Sequence, residues 1–194
     1  GDEIVLDGYY QEEPQPKSHP NAPDGLERMM AYLSQGLMKP KLHRWRFNLA
    51  TGATTEQRLD DRILEFGMFN QRYAGKPYRY AYSTTTKPGW FLFNGFVKHD
   101  LVSGESWSLN LAAGRYASEA PFVPRLNAKS EDDGYLVSFI IDENTGTSEC
   151  ILIDCLDFEA GPVCRIALPH KISSGTHSTW VDRSELDKAR KAAA

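Results

Sequence analysis

Asn48-Leu49-Ala50-Thr51-Gly52 and Asp100-Leu101-Val102-Ser103-Gly104 are nearly the same five-residue motif, and Asp142-Glu143-Asn144-Thr145-Gly146 is a third, weaker copy. Each lies between two strand-like runs, which is the signal of a hairpin closed by a Gly-containing turn. The three glycines recur at intervals of 52 and 42 residues. One four-stranded propeller blade occupies roughly 40–50 residues. A β-sandwich would also give regular hairpins, but with turns about every 8–12 residues. The pattern therefore predicts an all-β chain of propeller type, supplying roughly three blades. A closed ring needs about four blades at least, so the chain is not expected to close alone.

The runs around these turns support strands. Leu42 to Phe47 alternates, Tyr78-Arg79-Tyr80-Ala81-Tyr82 alternates strictly, and Tyr135 to Ile141 is nearly continuous and apolar. Gly89 to Lys98, Trp107-Ser108-Leu109, Ile151-Leu152-Ile153 and Val163 to Leu168 complete the set. Asp2 to Tyr10 reads as a first short strand, beginning abruptly as if cut from a longer protein. Residues 11–24 carry Pro14, Pro16, Pro20 and Pro23, which forbid regular structure. Asp24 reads as an N-cap for Leu26, Met29, Met30, Leu33 and Leu37 at helical spacing, and Pro40 ends that run. Residues 11–40 are thus expected as a loop-and-helix insertion in one domain spanning 1–194.

The chain has 194 residues, 41% of them hydrophobic and 25% charged, with a net charge of −4. These are globular values and exclude a wholly disordered chain. Mild acidity argues against nucleic acid, which needs a concentrated basic face. No apolar run reaches the roughly 18–20 residues of a membrane span. Gly1-Asp2-Glu3 has neither the basic nor the apolar segment of a secretion signal, so a cytoplasmic location is expected. Cys150, Cys155 and Cys164 match no zinc or redox spacing and read as small buried or half-buried residues in a reducing compartment.

The chain carries no phosphate loop, no Gly-x-Ser-x-Gly elbow and no His-Glu-x-x-His. His19, His43, His99 and His170 read as solvated surface residues. His177 differs: Ser173 to Trp180 is a small-residue stretch that lets backbone approach closely and aim one ring nitrogen. Glu65, in Ile63-Leu64-Glu65-Phe66, and Glu119, in Tyr116 to Val123, stand among apolar residues. A buried carboxylate must be paired. One such use is to accept the distal N–H of a metal-bound imidazole, and another is an ordinary pairing with a local Arg or backbone group. Glu131-Asp132-Asp133-Gly134 reads as a solvated turn entering a strand.

Taken together, several stretches resemble the carotenoid cleavage oxygenase family, which includes carotenoid, apocarotenoid and lignostilbene dioxygenases and a retinoid isomerase. The most specific are Glu131 to Ser138, Ile151-Leu152-Ile153-Asp154, Pro162 to Pro169 and Gly175-Thr176-His177-Ser178-Thr179-Trp180. Glu65-Phe66 through Tyr82 and Ser118 to Pro124 also look like the family. Two positions depart: Gly67 stands where the family usually has Pro, and Thr176 where many members carry an aromatic. The resemblance implies a seven-bladed propeller with Fe(II) on its axis, held by four histidines. His177 matches the last of these ligands. Glu65 and Glu119 match two of the glutamates that orient iron-bound histidines. The remaining ligands belong to family segments upstream of Gly1, so the chain looks like the C-terminal part of such an enzyme. The implied partners are O2, an apolar polyene or stilbene substrate, and the missing N-terminal portion of the propeller, through which peripheral membrane contact is conceivable. The implied reaction inserts both oxygen atoms across one C=C bond and gives two carbonyl products. The alternative is a non-catalytic propeller fragment acting as an interaction module. A propeller hydrolase lacks a convincing acid pair.

Overall fold

The computed structural model describes residues 2–12, 25, 38–173 and 176–192. The predicted helix over 26–37, nearly all of the 11–40 insertion, and His19 lie outside these residues.

Three antiparallel sheets follow one another along the chain. The first holds β1 (Glu3–Gln11), β2 (Pro40–Asn48) and β3 (Thr54–Arg58) in that order. The second is the meander β4 (Leu64–Phe69), β5 (Tyr80–Thr86), β6 (Phe93–Asp100) and β7 (Ser106–Asn110). The third is built on β10 (Gly134–Asp142), β11 (Thr147–Asp154) and β12 (Pro162–Ala167). Its first strand comes in two pieces, β8 (Arg115–Ala117) and β9 (Phe122–Pro124). These pair with opposite ends of β10, at Ile140–Asp142 and at Gly134–Leu136. The four residues between them form a break in one strand. A single pairing, Phe93 with Ala117, joins the second and third sheets. The result is the all-β, blade-by-blade arrangement that the turn motif predicts.

The recurring turns share one mechanism. The Oδ1 of Asn48 accepts from the N–H groups of Ala50 and Thr51. Asp100 accepts from Val102 and Ser103, and Asp142 from Asn144 and Thr145, in the same way. In each turn the closing glycine donates its N–H to the carbonyl of that first residue. Each glycine has a left-handed backbone, φ 73°, 80° and 69° for Gly52, Gly104 and Gly146, which glycine adopts without steric penalty. The third copy is nevertheless out of phase. The first two turns close the last hairpin of their sheets (β2–β3 and β6–β7), whereas the third closes β10–β11, a middle hairpin. The interval of 52 residues is a blade repeat and the interval of 42 is not, because the motif encodes turn chemistry rather than a place in the blade.

Apolar side chains fill the spaces between sheets. Tyr82, Phe93 and Phe96 of the second sheet pack with Phe122, Leu136, Ile140, Ile151 and Ile153 of the third. Leu42, Leu64 and Val97 make a smaller cluster between the first and second, with Tyr9 against it. Two readings of polar residues are corrected. His43 and His99 are buried, not solvated: His99 Nε2 lies 2.9 Å from Asp60 Oδ2, and His43 Nε2 lies 3.2 Å from Glu56 Oε2. Both sit on strands flanked on each side by another strand, so a charged neighbour in sequence does not place them in water. The acidic turn is likewise built in. Asp132 and Asp133 are buried, and Asp132 Oδ2 lies 2.6 Å from the Nζ of buried Lys98. Lys98 Nζ also donates to the Cys155 carbonyl, at 2.7 Å. Arg125 binds Asp133, and Glu131 accepts from the N–H groups of Arg79 and Tyr80. Among the cysteines, Cys155 is buried and Cys150 half-buried as expected, but Cys164 is exposed on β12.

A helix that the sequence pattern did not bring out, α1 (Arg183–Ala192), follows the strands. Among the described residues no helix is long and apolar enough to cross a membrane.

Removing one member of a buried ion pair leaves an uncompensated charge and destabilises by about 3–5 kcal/mol. Asp132→Ala is therefore expected to lower the unfolding free energy by about that much in chemical denaturation. Lys98→Met added to it is expected to recover part of the loss, since no buried charge then remains.

Candidate functional site

Glu65 sits on β4 at a bulge. Its pairing with Thr84 and the next pairing, Met68 with Tyr82, leave Phe66 and Gly67 opposite Ser83 alone. Phe66 takes a left-handed backbone, φ 51°. Its N–H donates to Glu65 Oε2 at 2.8 Å. Tyr9 of β1 packs into the bulge and donates its hydroxyl to Ser83 Oγ at 2.8 Å. Burial pushes the Tyr9 phenol far above its ordinary pKa, and the charges of Glu65 and Asp60 add to this, so it stays a donor. Gly67 now has a physical reason: a Cβ there would stand 2.9 Å from the Tyr9 hydroxyl and 3.0 Å from its ring.

Glu119 lies in the break between β8 and β9. Side chains replace the lost ladder bonds on either side of it, as buried backbone requires. Ser118 Oγ accepts from the Phe139 N–H at 3.1 Å, and Ser138 Oγ donates to the Ser118 carbonyl at 3.0 Å. Both serines are buried. The two glutamates thus occupy matching places, an irregularity in the first strand of consecutive sheets.

The segment carrying His177 docks on Glu119. Ser178 N–H donates to Glu119 Oε2 at 2.6 Å, and Ser178 Oγ donates to the Glu119 carbonyl at 3.2 Å. The same Oε2 lies 3.5 Å from His177 Nδ1. The imidazole meets the Phe66 ring at 5.6 Å between centroids and 73° between planes. Its side chain is otherwise 81% exposed, whereas that of Glu119 is 12% exposed. Burial pushes the Glu65 carboxyl above its ordinary pKa; the Phe66 N–H and His177 oppose this, and the Glu119 charge adds to it. The fold therefore brings together all three predicted site residues, His177, Glu65 and Glu119, from three distant parts of the chain. Phe66 and Ser178, which tie them to one another, were not singled out by the sequence. Gly67, marking the bulge, was the available signal for Phe66.

An imidazole whose Nδ1–H points at a carboxylate keeps its lone pair on Nε2, the form that binds a metal ion. His177 beside Glu119 fits that role. Among the described residues no group of three or more His, Cys, Asp or Glu side chains is arranged to hold a metal ion, so His177 would serve as one ligand of a larger set. A cleft of about 400 Å³ adjoins the site, walled by Met68, Phe69, Pro121, Phe122 and Trp180 beside Glu119.

Residues 1–182 match the family described as retinal pigment epithelial membrane protein. The chain is 36% identical over 161 residues to carotenoid 9,10(9',10')-cleavage dioxygenase 1 of Arabidopsis thaliana, covering 76% of this chain and 30% of that protein. It is 29% identical over 162 residues to lignostilbene-alpha,beta-dioxygenase isozyme III of Sphingomonas paucimobilis, covering 76% of this chain and 33% of that protein. Cobalt-substituted apocarotenoid oxygenase of Synechocystis superposes with a TM-score of 0.79 at 28% identity, over 93% of this chain and 37% of that one. The chain thus spans about a third of the length of these relatives.

Gly67→Ala is expected to destabilise by about 1–3 kcal/mol through overpacking against Tyr9. In a Tyr9→Leu background the same change should cost less, and equal costs in both backgrounds on denaturant unfolding would reject the Tyr9 contact as the reason for glycine.

Proposed function

The chain belongs to the retinal pigment epithelial membrane protein family, that of the carotenoid cleavage oxygenases, and from that premise we propose that residues 1–194 form the C-terminal part of a non-haem Fe(II) dioxygenase. The single observation that carries this reading is the approach of His177 Nδ1 to Glu119 Oε2, at 3.5 Å. Fe(II), when bound, would supply the O2 chemistry that opens one C=C bond into two carbonyl groups.

The residues of this chain prepare that chemistry. His177 offers a neutral Nε2 lone pair, which leaves the full metal charge in place. Glu119, whose Oε2 lies 3.5 Å from Nδ1, would accept the Nδ1–H and so fix tautomer and ring direction. Its carboxylate is itself held by the Ser178 N–H. Glu65 orients a further imidazole supplied from outside the described residues. Phe66 meets the His177 ring and is itself packed against Phe91 and Phe93. The substrate class, a carotenoid, apocarotenoid or stilbene, rests on the relatives, since the adjoining cleft mixes Met68, Phe69, Phe122 and Trp180 with Asn70, Arg72, Asp182 and Glu185. The remaining propeller portion is the obligatory partner, and a cytoplasmic location with peripheral membrane contact suits an enzyme acting on a water-insoluble polyene.

This chain by itself is expected to bind no iron tightly, because one exposed imidazole has no chelate advantage; stoichiometric iron on elemental analysis would overturn that. In the complete protein, His177→Ala is expected to abolish iron loading and the oxygen-dependent cleavage of apocarotenals and stilbenes. Retained iron and turnover would remove His177 from the site. A complete protein that loads no iron at all would favour the non-catalytic reading.

A further inference from the structure

Phe66 has no donor atom to offer a metal, yet it is held in a conformation that other phenylalanines avoid. A left-handed backbone is unfavourable for a residue with a bulky side chain. Such strain persists where the surroundings fix it, and here they do: Tyr9 fills the bulge behind Gly67, and the Phe66 ring is buried 4.6 Å from that of Phe93.

The strain changes what two consecutive residues can reach. In a regular strand neighbouring side chains point to opposite faces. At this bulge Glu65 takes the Phe66 N–H with its carboxylate, and the Phe66 ring meets His177. Glu119 and Ser178 restrain the ring only at Nδ1 and through the following peptide. A tether at one atom leaves the imidazole free to tilt about it. The Phe66 ring is a further contact of the imidazole, at 5.6 Å between centroids and 73° between planes. Phe91 backs it, edge-on at 6.4 Å.

We infer that Phe66 is a positioning residue that fixes the plane of the His177 ring, so that Nε2 is already aimed before a metal ion arrives. Its contact with His177 stands on the structure, and its functional meaning rests on the reading of His177 as a ligand.

The test compares two core phenylalanines. Phe66→Leu and Phe93→Leu each remove one ring from the same cluster, but among the described contacts only Phe66 meets His177. The His177 ring proton signals of the 194-residue chain, assigned by their loss in His177→Gln, are expected to move toward the position of a free histidine in Phe66→Leu. They are expected to stay in place in Phe93→Leu. Unmoved signals in Phe66→Leu, or equal displacement in both variants, would overturn the proposal. In the complete protein, Phe66→Leu should weaken Fe(II) or Co(II) binding about tenfold, the effect typical of groups that orient a metal ligand, with Phe66→Tyr restoring it. Unchanged affinity in Phe66→Leu would also overturn it. If the unaltered complete protein binds no metal, the ligand reading of His177 fails, and the proton signals still decide the contact.

Discussion

The site depends on two places where the first strand of a sheet gives up its alternation. At Glu65-Phe66-Gly67 the strand bulges, and at Ser118 to Pro121 it breaks outright. A continuous strand would have sent every second side chain into the core and the others away from it. The irregularities instead turn two carboxylates toward a third segment 59 and more residues distant in sequence. Each irregularity leaves backbone groups that must be satisfied. Glu65 takes the Phe66 N–H with its own carboxylate, and the break is sealed by Ser118 and Ser138. The sealing groups and the functional groups are therefore the same or adjacent residues, which ties local backbone geometry directly to where the carboxylates point.

This explains which parts of the protein were legible in the sequence. The turns at Asn48, Asp100 and Asp142 were readable because their chemistry is local: one side-chain oxygen bonds the next N–H groups, and a glycine supplies the left-handed closing residue. β1, β2, β5 to β7 and β10 to β12 were readable from alternation or apolar runs, whereas β3, β4, β8 and β9 were not. What depended on distant partners was not. The burial of His43 and His99 is decided by strands laid on either side of β2 and β6. Asp132 is buried because Lys98, far away in sequence, is buried opposite it. The phase of the third turn could not be read because turn chemistry says nothing about which hairpin it closes. His177, Glu65 and Glu119 stood out by their sequence surroundings and took their roles from motif resemblance, and the approach of His177 to Glu119 is a fact of the tertiary fold alone.

Strain at Phe66 is tolerable because the rest of the molecule is firmly determined. The cluster between the second and third sheets is fully buried at Phe96, Ile140, Ile151 and Ile153. Arg44 grips Asp7 through two bonds, and Tyr78 donates a third to the same carboxylate, joining the first sheet to the second. These interactions hold β1, and with it Tyr9, against the bulge. A local unfavourable conformation can then persist at a functional position while stability is supplied elsewhere.

Burial and the Glu119 charge both disfavour ionised Glu65. The Phe66 and Ser178 N–H groups relieve one oxygen on each acid. A neutral His177 offers Glu119 only its Nδ1–H, and a protonated one would relieve the acids but lose the lone pair on Nε2. A cation bound at Nε2 satisfies both demands at once: it polarises the Nδ1–H toward Glu119 and places positive charge within the field of both acids. On the proposed reading, coordination of His177 would give the Glu119 contact its use, while Glu65 would serve a different imidazole.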